Sequence, residues 1–301
     1  MIISASRRTD IPAFYSEWFL NRLGEGFALV QNPRNPHRLG RVELSPDKVD
    51  CIIFWTKNPL PMFGMLDAIE RMGYKYYFEF TLTPYGRSTE RNLPPKERLG
   101  PNRVDWRYDP VLITHDFPVA YHLEQFEKLC GVLHSKTGRC ILSFVDQYSH
   151  VKDIPDVHGD AILAVAEGFS RIAKKYGLPL LTCAEAVDLE QFGIAHAACI
   201  DKRKIESIIG TAIEAKKDEG QRPACGCIAS VDIGAYDTCP HGCVYCYATT
   251  SAGLVARRMR AHAPESPLLA GFPKGDELIT DRTTRSQKLQ QLTLLPIGRS
   301  S

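Results

Sequence analysis

Strand-like apolar runs alternate with helical segments along the first 183 residues. The runs are rich in β-branched and aromatic residues, and between them lie segments with apolar residues at helical spacing. Such alternation is typical of βαβ units, because parallel strands need a crossover connection. It predicts strands at 2–6, 27–31, 49–57, 74–83, 104–113, 139–146 and 178–183, and helices at 11–23, 62–72, 119–133 and 159–176.

The run at 49–55 is too continuously apolar for a half-exposed antiparallel sheet and favours strands covered on both faces. A barrel or a doubly wound sheet meets that requirement, and α/β barrels of this length form one domain. We therefore expect an α/β fold, with a full or partial (β/α) barrel as a single domain over residues 1–262. Residues 263–301 are polar and proline-containing, which predicts an extended C-terminal tail.

Charge and composition limit the classes of function. Lys and Arg number 37 against 35 for Asp and Glu, a balance that gives no electrostatic footprint for wrapping duplex nucleic acid. The sequence has no apolar run long enough to span a bilayer and no secretory hydrophobic region at its start. Ten cysteines in such a chain indicate reduced thiols in the cytoplasm, and metal or redox chemistry rather than disulfides.

Polar residues cluster where several of the predicted strands end. In parallel α/β folds those strand ends form the active face, so we expect a substrate pocket there. For each residue, a buried salt bridge that braces the sheet is an alternative role. The catalytic candidates are Arg8, Asp10, Lys57, Glu79, Arg107 and Asp109, and Arg7 and Asn58 are candidates for cofactor contact.

Five of the ten cysteines fall within residues 225–246. Three of them stand in the sequence Cys239-Pro-His-Gly-Cys243-Val-Tyr-Cys246. The glycine and the proline let a short loop fold back, so that three thiolates converge on one metal centre, as iron–sulfur ligation requires. Three ligands leave a fourth position open, which distinguishes reactive metal sites from closed structural ones.

The motif Cys-x3-Cys-x2-Cys, with an aromatic residue immediately before the last cysteine, resembles the signature of radical S-adenosylmethionine (SAM) enzymes. The local sequence Cys-Pro-His-Gly-Cys-Val-Tyr-Cys-Tyr-Ala is especially similar to the motif of the branch that contains spore photoproduct lyase. Over nearly its full length the chain also resembles an uncharacterised bacterial family of unknown function, whose C-terminal cysteines have been likened to the same signature.

The radical SAM resemblance implies a 4Fe-4S cluster on Cys239, Cys243 and Cys246, with SAM on its fourth iron and Tyr245 against the adenine. One electron, from a reduced flavodoxin or ferredoxin-like donor, would cleave SAM to methionine and a 5′-deoxyadenosyl radical that abstracts hydrogen from the substrate. Likeness to the lyase branch makes nucleic-acid repair the first substrate hypothesis. A small molecule or a peptide is an equally open hypothesis for the substrate.

The position of the motif departs from the radical SAM pattern, because the signature usually follows the first barrel strand and here begins at residue 239. Residues 228–234 resemble a strand and residues 248–261 a helix, so the motif lies in a β-loop-α unit. A circularly permuted barrel would place this unit beside the strand at 2–6. Arg7, Arg8 and Asp10 would then face the cluster.

A second set of thiols lies near predicted strand ends: Cys183, Cys199, Cys225 and Cys227. Four thiols would complete a second, auxiliary 4Fe-4S cluster. The alternative is that Cys183 and Cys199 are small buried apolar residues and that Cys225 and Cys227 bind zinc or nothing.

Two other classes of function remain open. The first is a non-catalytic zinc or iron–sulfur protein, in which His241 or another cysteine completes a zinc site with Cys239, Cys243 and Cys246. The second is a metal-dependent hydrolase built on the strand-end carboxylates, although the sequence has no Ser-His or HExxH-type arrangement to support it.

Overall fold

The computed structural model describes residues 1–86, 103–149, 151, 154–283 and 285–289. The strands are β1 (Ile2–Ala5), β2 (Phe27–Asn32), β3 (Asn35–Glu43), β4 (Cys51–Thr56), β5 (Tyr76–Thr81), β6 (Val104–Val111), β7 (Cys140–Phe144), β8 (Leu180–Thr182), β9 (Ala195–His196), β10 (Val231–Asp232) and β11 (Leu278–Asp281). The helices are α1 (Ile11–Phe14), α2 (Ser16–Glu25), α3 (Leu60–Phe63), α4 (Leu66–Arg71), α5 (Val119–Leu133), α6 (Gly159–Lys175), α7 (Lys202–Ile209) and α8 (Ala252–Arg260).

Eight strands form one parallel sheet in the order β10-β1-β4-β5-β6-β7-β8-β9. The late strand β10 pairs with β1, with Ile3 opposite Val231. The predicted mixed α/β architecture is confirmed, and so is the placement of the C-terminal β-loop-α unit beside the N-terminal strand.

The sheet does not close into a barrel by hydrogen bonding, since no strand pairing joins β9 to β10 among the described residues. The two strands that border the gap are short, with 2 residues each in β9 and β10. Across the gap, the amide of Ile228 donates to the carbonyl of Ile200 at 3.1 Å. The expected barrel is therefore an open sheet at this point.

Both faces of the sheet are covered, as the apolar runs predict. On one face, alternate residues such as Ile3 and Phe54 pack against Trp18 of α2. Further along this face, the rings of Phe126 in α5 and Phe169 in α6 stack with centroids 3.8 Å apart. The opposite face packs against the segment 198–228, through Ile2, Cys51, Ile53, Tyr77 and Ile141.

The strand predicted at 27–31 does not belong to the parallel sheet. It forms β2, which pairs antiparallel with β3 in a separate sheet of order β11-β3-β2. The side chain of Asn32 accepts hydrogen bonds from the amides of Arg34 and Asn35, and this turn returns the chain directly. A tight turn leaves no room for a crossover helix, so the next strand is antiparallel.

Residues after 262, expected to form an extended tail, contact the body of the protein within the described range. Strand β11 pairs parallel with β3. Leu268 and Leu269 are buried, and the indole of Trp18 donates to the carbonyl of Ser266 at 2.9 Å. In the described residues, no helix combines the length and apolar character needed to cross a membrane.

Candidate metal centre and cavity

The carboxyl ends of the parallel strands surround a cavity of about 610 Å³. This volume lies within the ordinary range for a small-molecule site. Most of the polar strand-end residues predicted from the sequence meet on its wall, and both sets of cysteines reach it. The predicted residues on the wall are Arg7, Arg8, Asp10, Lys57, Arg107, Asp109, Cys183, Cys199, Cys225, Cys227, Cys239, Cys243, Tyr245 and Cys246.

The cysteine loop between β10 and α8 is pinned at both ends. The Asp237 carboxylate accepts from the amide of Thr250 at 2.5 Å and from its hydroxyl at 2.8 Å, and the Asp237 amide donates to the carbonyl of Ala248. The Tyr15 hydroxyl donates to the carbonyl of Thr238 at 2.5 Å. Gly242 adopts φ +68° at the turn, a conformation that suits glycine.

The residues Cys239, Cys243 and Cys246 are each partly exposed on the cavity wall; we call them the open set. Burial of the Cys239 thiol raises its pKa well above the usual value. Within the described part of the chain, the three residues do not form a group whose ligand atoms all lie within 4.8 Å of one another. Thiolates of an iron–sulfur cluster bind different iron atoms, so they stand farther apart than ligands of a single ion.

Asp10 joins the cysteine loop to the ends of two strands. One carboxylate oxygen accepts from the amide of Ala13 at 3.0 Å and caps α1. The other accepts from the amide of Lys57 and lies 2.7 Å from Nε2 of His241. Asp10 is therefore a positioning residue in this structure, and Nε2 of His241 is already occupied by a protein partner.

Trp55, at the end of β4, lies between two guanidinium groups. The guanidinium carbon of Arg7 is 5.4 Å from its ring centroid, and that of Arg107 is 5.1 Å away. Arg107 also donates to the Asp109 carboxylate and to Sγ of Cys199. Burial alone would lower the pKa of Arg107, but Asp109 and Cys199 raise it well above its usual value, so the side chain stays charged.

Two of the predicted residues lie outside the cavity wall. Glu79 is fully buried next to Arg107 at 3.5 Å, and burial raises its carboxyl pKa well above the usual value. Asn58 shapes a turn: its side chain accepts from the amide of Leu60 at 3.3 Å, and its amide donates to the hydroxyl of Thr56. Glu79 pairs with Asp105 of β6, four residues before Asp109, which places it inside the sheet rather than at its rim.

Three thiols of the second set converge: the Sγ atoms of Cys183, Cys199 and Cys227 all lie within 4.8 Å of one another. The Cys225 thiol lies near Cys183 and Cys227 but outside that group of three. All four residues are buried, and we call them the closed set. Hydrogen bonds from Cys183, Cys199 and Cys225 lower the pKa of Cys227.

Tyr245, expected against an adenine, is buried among Leu112 and Val145 at one side of the cavity. The ammonium nitrogen of Lys57 lies 5.7 Å from its ring centroid. The tyrosine pair at the cavity was not predicted from the sequence: the rings of Tyr148 and Tyr247 are 5.6 Å apart, and the Tyr247 hydroxyl donates to the carbonyl of Arg7. Two separated tyrosines carry no spacing signal, so only the fold brings them together.

Fold and site together define an α/β protein with a polar cavity at its strand ends, walled by two sets of cysteines. The sequence matches the family described as a domain of unknown function, DUF1848, over residues 2–248, and the chain belongs to that family. The matched region includes both cysteine sets. No curated protein and no solved structure matches the chain.

Proposed function

We propose that this protein is a radical SAM enzyme whose 4Fe-4S cluster is held by the open set. The observation that carries the proposal is the position of Cys239, Cys243 and Cys246: three partly exposed cysteines, in one pinned loop, on the wall of a large cavity. Three ligands leave a position for a further molecule, which is the arrangement of a reactive site rather than a closed one.

The bound cluster would supply reductive cleavage of SAM and a 5′-deoxyadenosyl radical that abstracts hydrogen from the substrate. The protein's own residues would hold the cluster and fix the position of the cysteine loop. Asp237 fixes the two ends of the cysteine loop, and Asp10 ties its centre to the first two strand ends of the site. A reduced flavodoxin or ferredoxin-like protein is the proposed electron donor.

The remaining residues of the wall would bind SAM and substrate. Tyr245, within the cysteine loop, and Arg7, whose carbonyl accepts from the Tyr247 hydroxyl of that loop, are the proposed SAM contacts. Arg8, Lys57, Arg107 and Asp109 are proposed on the substrate side, where the cations favour an anionic group. A nucleic acid offers such groups in its phosphates, and an acidic small molecule or peptide offers a carboxylate.

We further propose that the fold is a circularly permuted (β/α) barrel. The strand order supports this, because β10 with its cysteine loop precedes β1 at the first position of an eight-stranded parallel sheet. Eight parallel strands are also the number in a full barrel. The cytoplasmic location stays a prediction from the ten cysteines.

The test is SAM cleavage by anaerobically purified, reconstituted protein under dithionite, with 5′-deoxyadenosine measured by chromatography. We expect 5′-deoxyadenosine from the wild type and from Cys130→Ala, a buried cysteine in α5 far from the cavity wall. We expect none from Cys243→Ala. Zinc without sulfide at the open set, even after anaerobic reconstitution, would instead establish the non-catalytic zinc protein.

A further inference from the structure

The closed set occupies the place where the parallel sheet fails to close. Cys183 directly follows β8, Cys199 follows β9 by three residues, and Cys225 and Cys227 lie in the segment that leads into β10. The thiols therefore come from both sides of the gap between β9 and β10. Elsewhere in the sheet, backbone hydrogen bonds join neighbouring strands at this level.

We propose that Cys183, Cys199, Cys225 and Cys227 bind a single zinc ion that joins the two edges of the open sheet. This inference does not depend on the radical SAM proposal, since it concerns different cysteines. It also differs from the auxiliary iron–sulfur cluster expected from the sequence.

The spacing of the thiols favours one ion over a cluster. Zinc binds thiolate at about 2.3 Å, so four ligands at tetrahedral angles stand about 3.8 Å apart. Three thiols of the closed set meet this scale, because the Sγ atoms of Cys183, Cys199 and Cys227 all lie within 4.8 Å of one another. The fourth, Cys225, lies near Cys183 and Cys227 but outside that group of three, so it would move closer when the ion binds. The open set, at the same end of the same sheet, is spread more widely.

The surroundings of the closed set suit a buried tetrathiolate. Four thiolates on one divalent ion carry a net double negative charge, and burying it requires compensation. Arg107, itself buried, donates to Sγ of Cys199 and so places a positive charge directly against the site. The amide of Ile200 donates to Sγ of Cys227 at 3.3 Å, a contact of the kind that orients metal ligands.

The backbone between two of the ligands also fits a compact site. Gly226 separates Cys225 from Cys227, and a Cβ at this position would stand 3.3 Å from the carbonyl oxygen of Ala197. The loop thus lies directly against the segment that carries Cys199. A bound ion would fix this contact and, through Cys199, the Arg107 and Trp55 side chains at the floor of the cavity.

The test is metal analysis of two proteins, the wild type and the triple variant Cys239→Ala/Cys243→Ala/Cys246→Ala, after purification and incubation with zinc chloride followed by desalting. We expect about one zinc per chain in the triple variant, which has lost the open set. Zinc-edge X-ray absorption should show four sulfur ligands at about 2.3 Å. Adding Cys225→Ser to the triple variant should remove the zinc or leave a site with three sulfurs.

Iron and sulfide in the triple variant would overturn the zinc proposal and establish a second iron–sulfur cluster. The absence of any bound metal would overturn it as well, leaving four buried thiols. Cobalt substitution of the unaltered protein covers a failure of the variants to fold, because a tetrahedral cobalt tetrathiolate has intense visible absorption and its absence would contradict the proposal. None of these results depends on whether the open set cleaves SAM.

Discussion

The two cysteine sets at the cavity use the same side chain in opposite settings. The open set consists of three partly exposed cysteines from one loop, and the closed set of four buried cysteines from three separate segments. Ligand number and exposure decide what a metal can do: a closed tetrahedron holds structure, whereas a missing ligand admits a reactant. On this basis we propose a reactive role for the open set and a structural role for the closed set.

The largest expected effects come from removing one ligand of each set. Cys243→Ala should reduce SAM cleavage by at least about 100-fold, because the loss of a ligand exceeds the usual effect of losing an outer contact. Its melting temperature should change little, since Cys243 is partly exposed in a loop pinned by other residues. Cys199→Ala should lower the melting temperature by about 10 °C through loss of the ion that joins the sheet edges.

Calorimetry and the 5′-deoxyadenosine assay, applied to both variants, test whether Cys243→Ala mainly reduces SAM cleavage and Cys199→Ala mainly reduces the melting temperature. Cys130→Ala is the matched control for removal of a buried thiol that belongs to neither set. Equal destabilisation by Cys199→Ala and Cys130→Ala would show that the closed set contributes no more than core packing.

The next-largest expected effect concerns Asp10, whose carboxylate contacts His241 in the loop that carries the open set. Asp10→Ala removes the cap of α1 and the hydrogen bonds to Lys57 and His241, and should cost about 3 kcal/mol of unfolding free energy. Asp10→Asn keeps one oxygen acceptor and should cost less. Urea unfolding measures both, and equal values for the two variants would argue against the carboxylate's role in joining loop and strands.

A smaller difference in unfolding free energy is expected between glycine substitutions in the two cysteine sets, at Gly242 in the open set and at Gly226 in the closed set. Gly242→Ala should cost about 1 kcal/mol, because φ +68° is unfavourable for a residue with a Cβ. Gly226→Ala should stay within about 0.5 kcal/mol of the wild type, because a stiffer unfolded chain offsets the 3.3 Å contact with Ala197. Urea unfolding of the zinc-loaded protein measures both costs in unfolding free energy. A larger cost for Gly226→Ala than for Gly242→Ala would contradict this expectation.

The smallest expected effect is the pH dependence of stability that comes from His122, a residue of neither cysteine set. Burial lowers the pKa of His122, whose nitrogens face the Tyr108 hydroxyl at 2.8 Å and the carbonyl of Leu112 at 2.6 Å. The unfolded chain then binds the proton more readily, so this contribution to stability is complete above pH 6.5 and is lost as the pH falls below it. His122→Gln should show a shallower fall in melting temperature between pH 7 and pH 5, and an unchanged slope would contradict it.

How far the sequence predicts the site depends on how its residues are assembled. The open set is contiguous, so its spacing was sufficient to group Cys239, Cys243 and Cys246. The closed set spans residues 183–227, and its grouping was a hypothesis until the fold brought the thiols together. The pair Cys225-Gly-Cys227 was its only local signal.

The same distinction applies to the fold. Local alternation predicts the parallel sheet and the strand β10, because each βαβ unit is specified within a few tens of residues. It does not predict that β2 belongs to another sheet, since a strand's composition does not identify its partner. Nor does it separate Glu79, inside the sheet, from Asp109 on the cavity wall, because the sequence does not give the register: Glu79 pairs with Asp105 of β6, four residues before Asp109.

The most direct test of the central claim is low-temperature electron paramagnetic resonance of the anaerobically purified, dithionite-reduced protein, with and without SAM. We predict the signal of one reduced 4Fe-4S cluster, altered by SAM in the wild type and absent in Cys243→Ala. A protein that contains zinc and no sulfide, or a cluster signal that SAM leaves unchanged, would contradict the assignment of the open set to SAM chemistry.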